Sequence, residues 1–311
     1  MEKPKQSIDL DRMSADLGTF ARLVGAEIDE GVVARTLGAF EIGFRHQPVE
    51  LRTTTVKSGK KRPDASFRYI DSRGTHDPFR IAVDTGALVP ADRPVDRLVP
   101  ELQEKFPIFG YGVDATAAYG LEKIWPFLDR PRPLEEASRL TSLPPSVARS
   151  EPWLRRHGLT HFCVIAADFR NASVNLYFLL DRASHGPDQA SHILSDLGAP
   201  PPSPDALAHA ASAPIVAVTY SYRRDTVERA CLYVPEMDAG RIPSAGDPVL
   251  RAAIEQTPTL ADRRMFVVGH SVGPGGAYTK LEIDYTGTSV PLFQKWIDRH
   301  APPPGDSPPG S

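Results

Sequence analysis

The stretch HFCVIAADFRNASVNLYFLL, residues 161–180, carries the clearest fold signal in the chain. Two mainly apolar runs flank the short segment Arg170–Asn171–Ala172, which is typical of a hairpin turn. In the second run, Val174 and Leu176 alternate with Asn175 and Tyr177. Successive side chains of a strand point to opposite faces, so this alternation predicts an antiparallel hairpin with one apolar face and one polar and aromatic face.

The same order of elements recurs along the chain. One or two patterns at helical spacing precede two strand-like runs, and the unit returns about every 50–60 residues, which is in the range of repeat architectures. The predicted strands are residues 49–56, 65–70, 108–113, 119–127, 161–169, 173–180, 215–222, 227–234, 265–271 and 278–285. The sequence therefore predicts five helix-then-hairpin units.

Ten antiparallel strands leave two exposed edges unless the sheet closes on itself. Alternation alone also fits an open sheet with one solvated face. However, the polar face here carries single cations or amides beside aromatic or acidic residues. We therefore predict an α+β fold, a ten-stranded antiparallel β-barrel built from five ααββ repeats, with helices outside and a ligand cavity in the lumen. We expect one domain over residues 1–300 and a disordered Pro/Gly/Ser-rich tail over residues 301–311.

Composition narrows the class of partner. The chain has 311 residues and a net charge of -3, so it lacks the global basic field of a nucleic-acid-binding protein. Its two cysteines, Cys163 and Cys231, cannot build a disulfide framework and fit a reducing cytosol. Neither a signal peptide nor an apolar run long enough for a membrane span is evident. We expect a cytoplasmic protein with no nucleic-acid or membrane partner.

The predicted polar face of the strands collects cations. Arg68, Lys123, Arg229 and Lys280 lie on four different strands. If they converge in one lumen, a compact polyanion such as diphosphate is needed to neutralise them. Neither a Walker A pattern nor a GxGxxG pattern after a strand is present, so side chains rather than a loop would hold the phosphates.

Several motifs together resemble a known family. They are RPVDRLVP (93–100), GVDATAAYGLEKIW (112–125), SLPPSVA (142–148), GLTHFCVIAADFRNASVNLYF (158–178), VERACLY (227–233) and AYTKLEIDYTG (277–287). In order and spacing the chain resembles the soluble aromatic prenyltransferases of the ααββ, or ABBA, barrel group, the bacterial phenol and phenazine prenyltransferases. The resemblance covers residues 10–300 and implies the barrel already predicted from the strand count.

The resemblance also implies the site residues. Those that would bind diphosphate are Arg52, Ser66, Arg68, Lys123, Asn175, Tyr177, Arg229 and Lys280. Those that would line the acceptor and prenyl pocket are Trp125, Cys163, Tyr233, Val267 and Asp284. Magnesium-dependent members carry an Asp where this chain has Ser66, and Arg68 follows as in the magnesium-independent 4-hydroxyphenylpyruvate-type members. We therefore expect no metal and no cofactor.

The reaction implied is electrophilic aromatic substitution by a monomeric enzyme. Dimethylallyl or geranyl diphosphate ionises, the aromatic faces shelter the allylic cation, and a small electron-rich aromatic acceptor attacks it. The catalytic residues implied are Lys123, Arg229 and Glu282, with Glu282 as general base. A purely structural pairing of Glu282 with Lys280 or Arg68 stays open.

Two other functions compete with this interpretation. The segment GHSVG, residues 269–273, matches the nucleophile elbow of serine hydrolases, with Ser271 as the nucleophile. A turn and a strand rather than a helix are predicted after it, which disfavours the elbow. A barrel that only carries a small aromatic molecule is the second alternative, although a neutral ligand would leave the cations uncompensated.

Overall fold

A computed structural model describes residues 7–55, 62–180, 186–198, 203–243 and 247–300. The predicted tail over residues 301–311 lies outside these ranges.

The ten strands of the described residues close into one antiparallel barrel. They are β1 (Val49–Thr54), β2 (Ala65–Asp71), β3 (Ile108–Thr116), β4 (Gly120–Pro133), β5 (His161–Asp168), β6 (Ser173–Leu179), β7 (Ile215–Ser221), β8 (Val227–Glu236), β9 (Phe266–Gly273) and β10 (Gly276–Asp284). Each strand pairs with its neighbours in sequence, and β1 also pairs with β10. The barrel therefore has no open edge, and the predicted closed barrel is confirmed.

Helices stand between successive hairpins. In the described ranges they are α1 (Leu10–Val24), α2 (Glu30–Ala39), α3 (Glu41–His46), α4 (Pro78–Asp84), α5 (Pro94–Lys105), α6 (Pro145–Arg149), α7 (Glu151–Arg156), α8 (Pro187–Ser195), α9 (Pro204–Ala210), α10 (Pro248–Gln256) and α11 (Ser289–His300). Within the part of the chain that the structure describes, every helix is too short or too polar to cross a membrane.

The helical part differs from one repeat to the next. The first unit has a third helix, α3, and the third unit has a 3₁₀ turn at Leu134–Arg139 followed by the short helices α6 and α7. Pro152 lies in the first turn of α7. Because proline has no N–H to donate, the hydrogen-bond ladder of α6 cannot run on through it, and the helix restarts at Glu151. Each hairpin nevertheless keeps its place in the barrel.

Strand alternation sorts the side chains between two environments. Outward-facing residues such as Phe67, Phe178 and Tyr220 are fully buried under the helices and form the main hydrophobic core. Burying one such side chain stabilises the fold by about 1.5–3 kcal/mol. The polar and aromatic residues of the same strands point into the lumen, as the sequence predicts. Packing of the helices on the outer face therefore stabilises the barrel, and the residues of the lumen can serve a binding site.

Helix α11 closes one end of the lumen. Its residues Val290, Trp296 and Ile297 are buried and share a hydrophobic cluster with Trp125 and Tyr233 from the strands. The turn before the helix is held by Asp284, which accepts hydrogen bonds from the backbone N–H groups of three residues, Gly287, Thr288 and Val290. These bonds fix the direction in which α11 leaves β10.

A pair of glycines tests how closely the helices pack on the barrel. A Cβ at Gly43 in α3 would lie 2.4 Å from a ring carbon of Tyr69, whereas nothing lies within 4 Å of a Cβ at Gly38 in α2. We predict that Gly43→Ala lowers the free energy of unfolding by about 1–3 kcal/mol through overpacking. Gly38→Ala is expected to raise it by about 0.5–1 kcal/mol, because alanine favours the helix. Urea denaturation measures both values, and shifts of the same sign would contradict the packing.

Candidate active site

Asp114 on β3 links two arginines inside the lumen. Its Oδ2 lies 3.0 Å from Nη1 of Arg52, and its Oδ1 lies 2.8 Å from Nε of Arg68. All three side chains are buried. The register of the sheet explains the contact, because Asp114 stands directly across from Arg68 on β2. A single carboxylate therefore joins two guanidinium groups.

A β-bulge in β4 places two consecutive charged residues in the same network. The pairing of β3 with β4 shifts register between Asp114 and Ala115, and both Glu122 and Lys123 are buried. Glu122 lies 2.9 Å from Nη2 of Arg52 and 3.2 Å from Nζ of Lys123. The ammonium also lies 3.3 Å from Oδ2 of Asp168.

These two carboxylates determine the charge of Lys123. Burial alone would lower the pKa of the ammonium. Glu122 and Asp168 outweigh burial and hold the pKa of Lys123 above its ordinary value. The side chain is therefore a permanent cation at neutral pH.

Glu282 on β10 binds Arg68 through both of its carboxylate oxygens. The distances are 3.0 Å from Nη1 to Oε2 and 2.9 Å from Nη2 to Oε1. The same guanidinium lies 4.4 Å from the ring centre of Trp125. A bidentate pair of this kind fixes the orientation of both side chains, and the cation–π contact aligns Arg68 with the aromatic wall.

Arg229 and Lys280 differ from the other lumenal cations. Among the residues that the structure describes, neither has a carboxylate within ion-pair distance. Nε of Arg229 is buried without a hydrogen-bond partner, and Nζ of Lys280 donates to the hydroxyl of Tyr233 at 2.8 Å. Thr219, directly across from Arg229, donates to Asn175 at 2.8 Å. This part of the lumen therefore combines uncompensated positive charge with neutral hydrogen-bonding groups.

A cavity of about 270 Å³ lies between the charged network and α11. Its strand residues are Glu50, Arg68, Ile70, Phe109, Trp125, Phe127, Val164, Tyr177, Ile215, Tyr233, Val267 and Glu282. Its α11 residues are Leu292, Phe293, Lys295, Trp296 and Arg299. Most of the wall is apolar or aromatic, and its acidic residues, among those that the structure describes, are Glu50 and Glu282. An aromatic molecule fits such a chamber, with its polar group at the acidic end.

Three aromatic rings form one side of the cavity. The ring centres of Trp125 and Tyr177 are 5.3 Å apart, and those of Tyr177 and Tyr233 are 6.2 Å apart. Burial raises the pKa of Tyr177 to about 12, so its phenol is neutral under ordinary conditions. Neutral π faces in a site shielded from water can stabilise a carbocation.

Twelve of the fourteen residues proposed from the sequence fall into two groups in the structure. Six of them line the cavity: Arg68, Trp125, Tyr177, Tyr233, Val267 and Glu282. Six lie in the lumen outside the cavity wall: Arg52, Ser66, Lys123, Asn175, Arg229 and Lys280. The first group belongs to the aromatic chamber, and most of the second group belongs to the cationic part beside it.

Two residues expected in the pocket are not part of the cavity wall. Cys163 lies at a register shift between β5 and β6 and belongs to the same hydrophobic cluster as Trp125 and Val164, but the cavity wall includes Val164 and not Cys163. The thiol of Cys163 donates to the carbonyl of Tyr177 at 3.2 Å. Asp284 lies outside the cavity wall, where its carboxylate holds the turn before α11.

The expectation that a polyanion must neutralise Arg68, Lys123, Arg229 and Lys280 is wrong for two of the four, because Arg68 and Lys123 have carboxylate partners. Arg52 has one as well. Sequence reasoning missed Glu50, Asp114, Glu122 and the α11 side of the cavity. Alternation could have found Glu50 and Asp114, because they share a strand face with Arg52 and Thr116. No sequence signal marks the bulge that brings Glu122 inward.

The geometry does not support a serine hydrolase. Ser271 lies inside β9 and not on a turn from a strand into a helix. Its Oγ is buried without a hydrogen-bond partner in the described ranges. The neighbouring His270 points to the opposite face and contacts His209 at 2.9 Å. Within the described part of the chain, Ser271 therefore has no hydrogen-bonded general base that would activate it.

Residues 8–297 match the aromatic prenyltransferase Orf2 family. Two similar relatives come from Streptomyces. The 5,10-dihydrophenazine-1-carboxylate 9-dimethylallyltransferase of Streptomyces anulatus is 29% identical over 89% of this chain and 93% of its own. The 4-hydroxyphenylpyruvate 3-dimethylallyltransferase of Streptomyces niveus is 30% identical over 94% of this chain and 89% of its own.

A solved structure shares the barrel. The chain is similar to a 6-dimethylallyl tryptophan synthase with a TM-score of 0.58 at 13% identity, over 89% of this chain and 96% of the other. At this identity the likeness concerns the fold.

The position of Asp114 between two arginines generates a stability prediction. We expect Asp114→Asn to lower the free energy of unfolding by about 3–5 kcal/mol, because it leaves buried cations without their shared partner. The control is Asp225→Asn, which breaks the ion pair with Arg149, where both side chains are exposed, at 52% for Arg149 and 89% for Asp225, and which should cost at most about 1 kcal/mol. Urea denaturation of both variants measures the difference, and equal losses would contradict the buried network.

Proposed function

This chain belongs to the aromatic prenyltransferase Orf2 family of secondary metabolism, and we propose that it transfers a dimethylallyl or geranyl group from the diphosphate to a small electron-rich aromatic acceptor without magnesium. The observation that carries the proposal is the junction of two lumenal regions. One is cationic, around Arg229 and Lys280, and the other is the aromatic cavity.

The cationic part is suited to a diphosphate. Among the described residues, Arg229 and Lys280 have no carboxylate partner, so their positive charge is available to a ligand. Lys123 lies in the same lumen. Arg52 and Lys123 both pair with Glu122, and each has a second carboxylate partner, so they add less net positive charge. Asn175 supplies a neutral amide. Positive groups placed where the leaving diphosphate gains charge favour heterolysis of the allylic C–O bond.

The names of the relatives indicate two lengths for the prenyl group. Two of them are named dimethylallyltransferases, and a third, from Streptomyces virginiae, is named a flaviolin linalyltransferase. These names cover five-carbon and ten-carbon groups, and either donor class is therefore part of the proposal.

The aromatic wall is suited to the allylic cation. Trp125, Tyr177 and Tyr233 present neutral ring faces, and helix α11 covers the chamber at one end. Water that reached the cation would convert it to an alcohol, so its exclusion favours transfer over hydrolysis.

Glu282 is our candidate for the general base. An aromatic carbon attacks the allylic cation and forms a C–C bond, and the proton on that carbon then leaves to a carboxylate oxygen. Glu282 lines the cavity and also holds Arg68. We propose that it has both roles, so the structural pairing and the catalytic role do not exclude each other.

The side chains at the head of β2 favour a reaction without magnesium. Oγ of Ser66 accepts a hydrogen bond from Nη2 of Arg52 at 3.2 Å. Ser66 has no carboxylate with which to hold a metal ion, and the positive charge at the diphosphate comes instead from Arg229 and Lys280. No further cofactor enters the proposed reaction.

We expect the enzyme to act as a monomer in the cytosol, in contact with neither nucleic acid nor membrane. One chain completes the barrel and its cavity. The two buried cysteines are free thiols, as is usual in a reducing compartment.

Removal of a diphosphate-binding cation should abolish most turnover. We predict that Arg229→Ala lowers kcat/KM for dimethylallyl diphosphate by about a hundredfold or more. The variant should fold normally, because in the described residues no carboxylate depends on Arg229. Lys123→Ala should lose as much turnover and also some stability, since Glu122 and Asp168 lose a partner. Mass spectrometry of products from a panel of phenols measures transfer.

The control for this prediction is Lys105→Ala, which removes an exposed cation of α5 that pairs with the exposed Glu104. Near-normal turnover in Arg229→Ala and Lys123→Ala would contradict the donor site. A wild-type protein that binds the acceptors but forms no product with either diphosphate would support a carrier instead.

Chelation tests the metal question separately. We predict the same rate of product formation with excess EDTA as with added Mg²⁺, because Arg229 and Lys280, which have no carboxylate partner among the described residues, supply the positive charge at the diphosphate. Loss of all turnover on chelation, restored by Mg²⁺, would contradict a donor site that works without a metal.

A further inference from the structure

Glu50 on β1 is a buried acid in the wall of the cavity with no role so far. Its side chain is 3% exposed, and Oε2 accepts no hydrogen bond. That oxygen lies 3.5 Å from Nη1 of Arg68, which is too long for a good hydrogen bond. In the register of the barrel, Glu50 stands across from Arg68 on one side and Asp284 on the other.

The charges around Glu50 argue against a third carboxylate at this place. Arg68 carries one positive charge, and it already binds Asp114 at 2.8 Å and Glu282 at 2.9 Å. An ionised Glu50 would add a negative charge that the arginine cannot balance. Burial of an unbalanced charge is so costly that such a group takes up a proton instead.

We propose that Glu50 is a neutral carboxylic acid that donates a hydrogen bond to the aromatic acceptor, next to the carboxylate of Glu282. The inference rests on the proposed function and deepens it. Glu50 keeps its proton through the cycle, while Glu282 takes the proton from the ring. The acceptors that fit carry a hydroxyl, carbonyl or ring nitrogen with a free lone pair, which binds at the acidic end of the cavity.

Electrostatics of the surrounding elements agree with a protonated Glu50. Burial raises the pKa of Glu50 to about 8, Arg68 opposes this shift, and Glu282 and Asp284 add to it. Ser289 at the start of α11 lies beside the group and, like Arg68, lowers the pKa of Glu50, but burial outweighs both. The other ionisable residues of the same cavity are Tyr177, Tyr233, Lys295 and Arg299.

The proposal predicts a specific loss of acceptor binding at alkaline pH. Above pH 8, Glu50 ionises, loses its donor proton and places a second negative charge beside Glu282. The KM for the acceptor should then rise. A donor proton that is needed only for acceptor binding affects the KM for the prenyl diphosphate much less.

Two substitutions separate the effect of the hydrogen-bond donor at Glu50 from the effect of its ionisation. Glu50→Leu removes the donor and should raise the acceptor KM about tenfold at pH 7, the scale of one lost hydrogen bond. Glu50→Gln keeps an N–H donor that cannot ionise, so its KM should rise less at pH 7 and stay flat through pH 8–9. Glu236→Gln is the matched control, because Glu236 is a buried glutamate of β8 outside the cavity wall.

A second measurement needs no turnover. The carboxyl ¹³C signals of glutamate-labelled protein should include one that titrates near pH 8 and is missing in Glu50→Gln. Because the folded-state pKa is raised above the unfolded value, Glu50 costs stability increasingly between about pH 4.5 and pH 8. The Tm of the wild type should therefore fall relative to Glu50→Gln over that window and keep a constant offset above it.

A carboxyl signal of Glu50 that titrates near pH 4.5, or an alkaline rise in KM that persists in Glu50→Gln, overturns the proposal. So does a Glu50→Leu protein that folds and keeps the wild-type acceptor KM. If the wild type transfers no prenyl group at all, the proposed function fails, and the titration still decides whether Glu50 is neutral. A Glu50→Leu protein that does not fold leaves the decision to Glu50→Gln and the titration.

Discussion

A charge in the lumen of a closed barrel has little access to water, so it must find its counter-charge among the side chains that face it. Asp114 meets this constraint for Arg52 and Arg68, and Glu122 and Asp168 meet it for Lys123. Arg229 and Lys280 have no such carboxylate in the part of the chain that the structure describes. An anionic ligand is therefore stabilised most beside Arg229 and Lys280, because it supplies the negative charge that these two cations lack.

The same closure divides the lumen into two chemical environments. Polar side chains dominate beyond Arg68, and apolar and aromatic ones dominate between Arg68 and α11. An allylic diphosphate has the same division within one molecule, an anionic head and an apolar tail. Arg68 stands at the boundary, since it binds Glu282 and also lies against Trp125. The barrel thus places leaving-group stabilisation and cation stabilisation next to each other.

Local irregularities decide details that strand periodicity cannot predict. In β5, Val164 has the same strand parity as Asp168 in the lumen, and the register shift beside it places Cys163 in the same hydrophobic cluster as Val164, although two consecutive residues of a regular strand would face opposite sides. The shift in β4 similarly brings in Glu122 together with Lys123. A bulge inserts one extra residue and reverses the facing of the residues after it, and its position depends on the neighbouring strand. By contrast, Asn175, Tyr177 and Glu282 lie in regular stretches, and alternation placed them on the correct face.

Apolar periodicity and the cost of unpaired sheet edges were enough to predict the order of the elements, the closed barrel and the inward face of most strands. The sequence also identified the cations of the lumen. Three features became known only from the folded chain: which cations are neutralised, where the cavity lies, and that α11 covers it. These features depend on contacts between residues far apart in sequence, such as Arg68 with Glu282, and on side-chain distances of a few ångströms that no local pattern encodes.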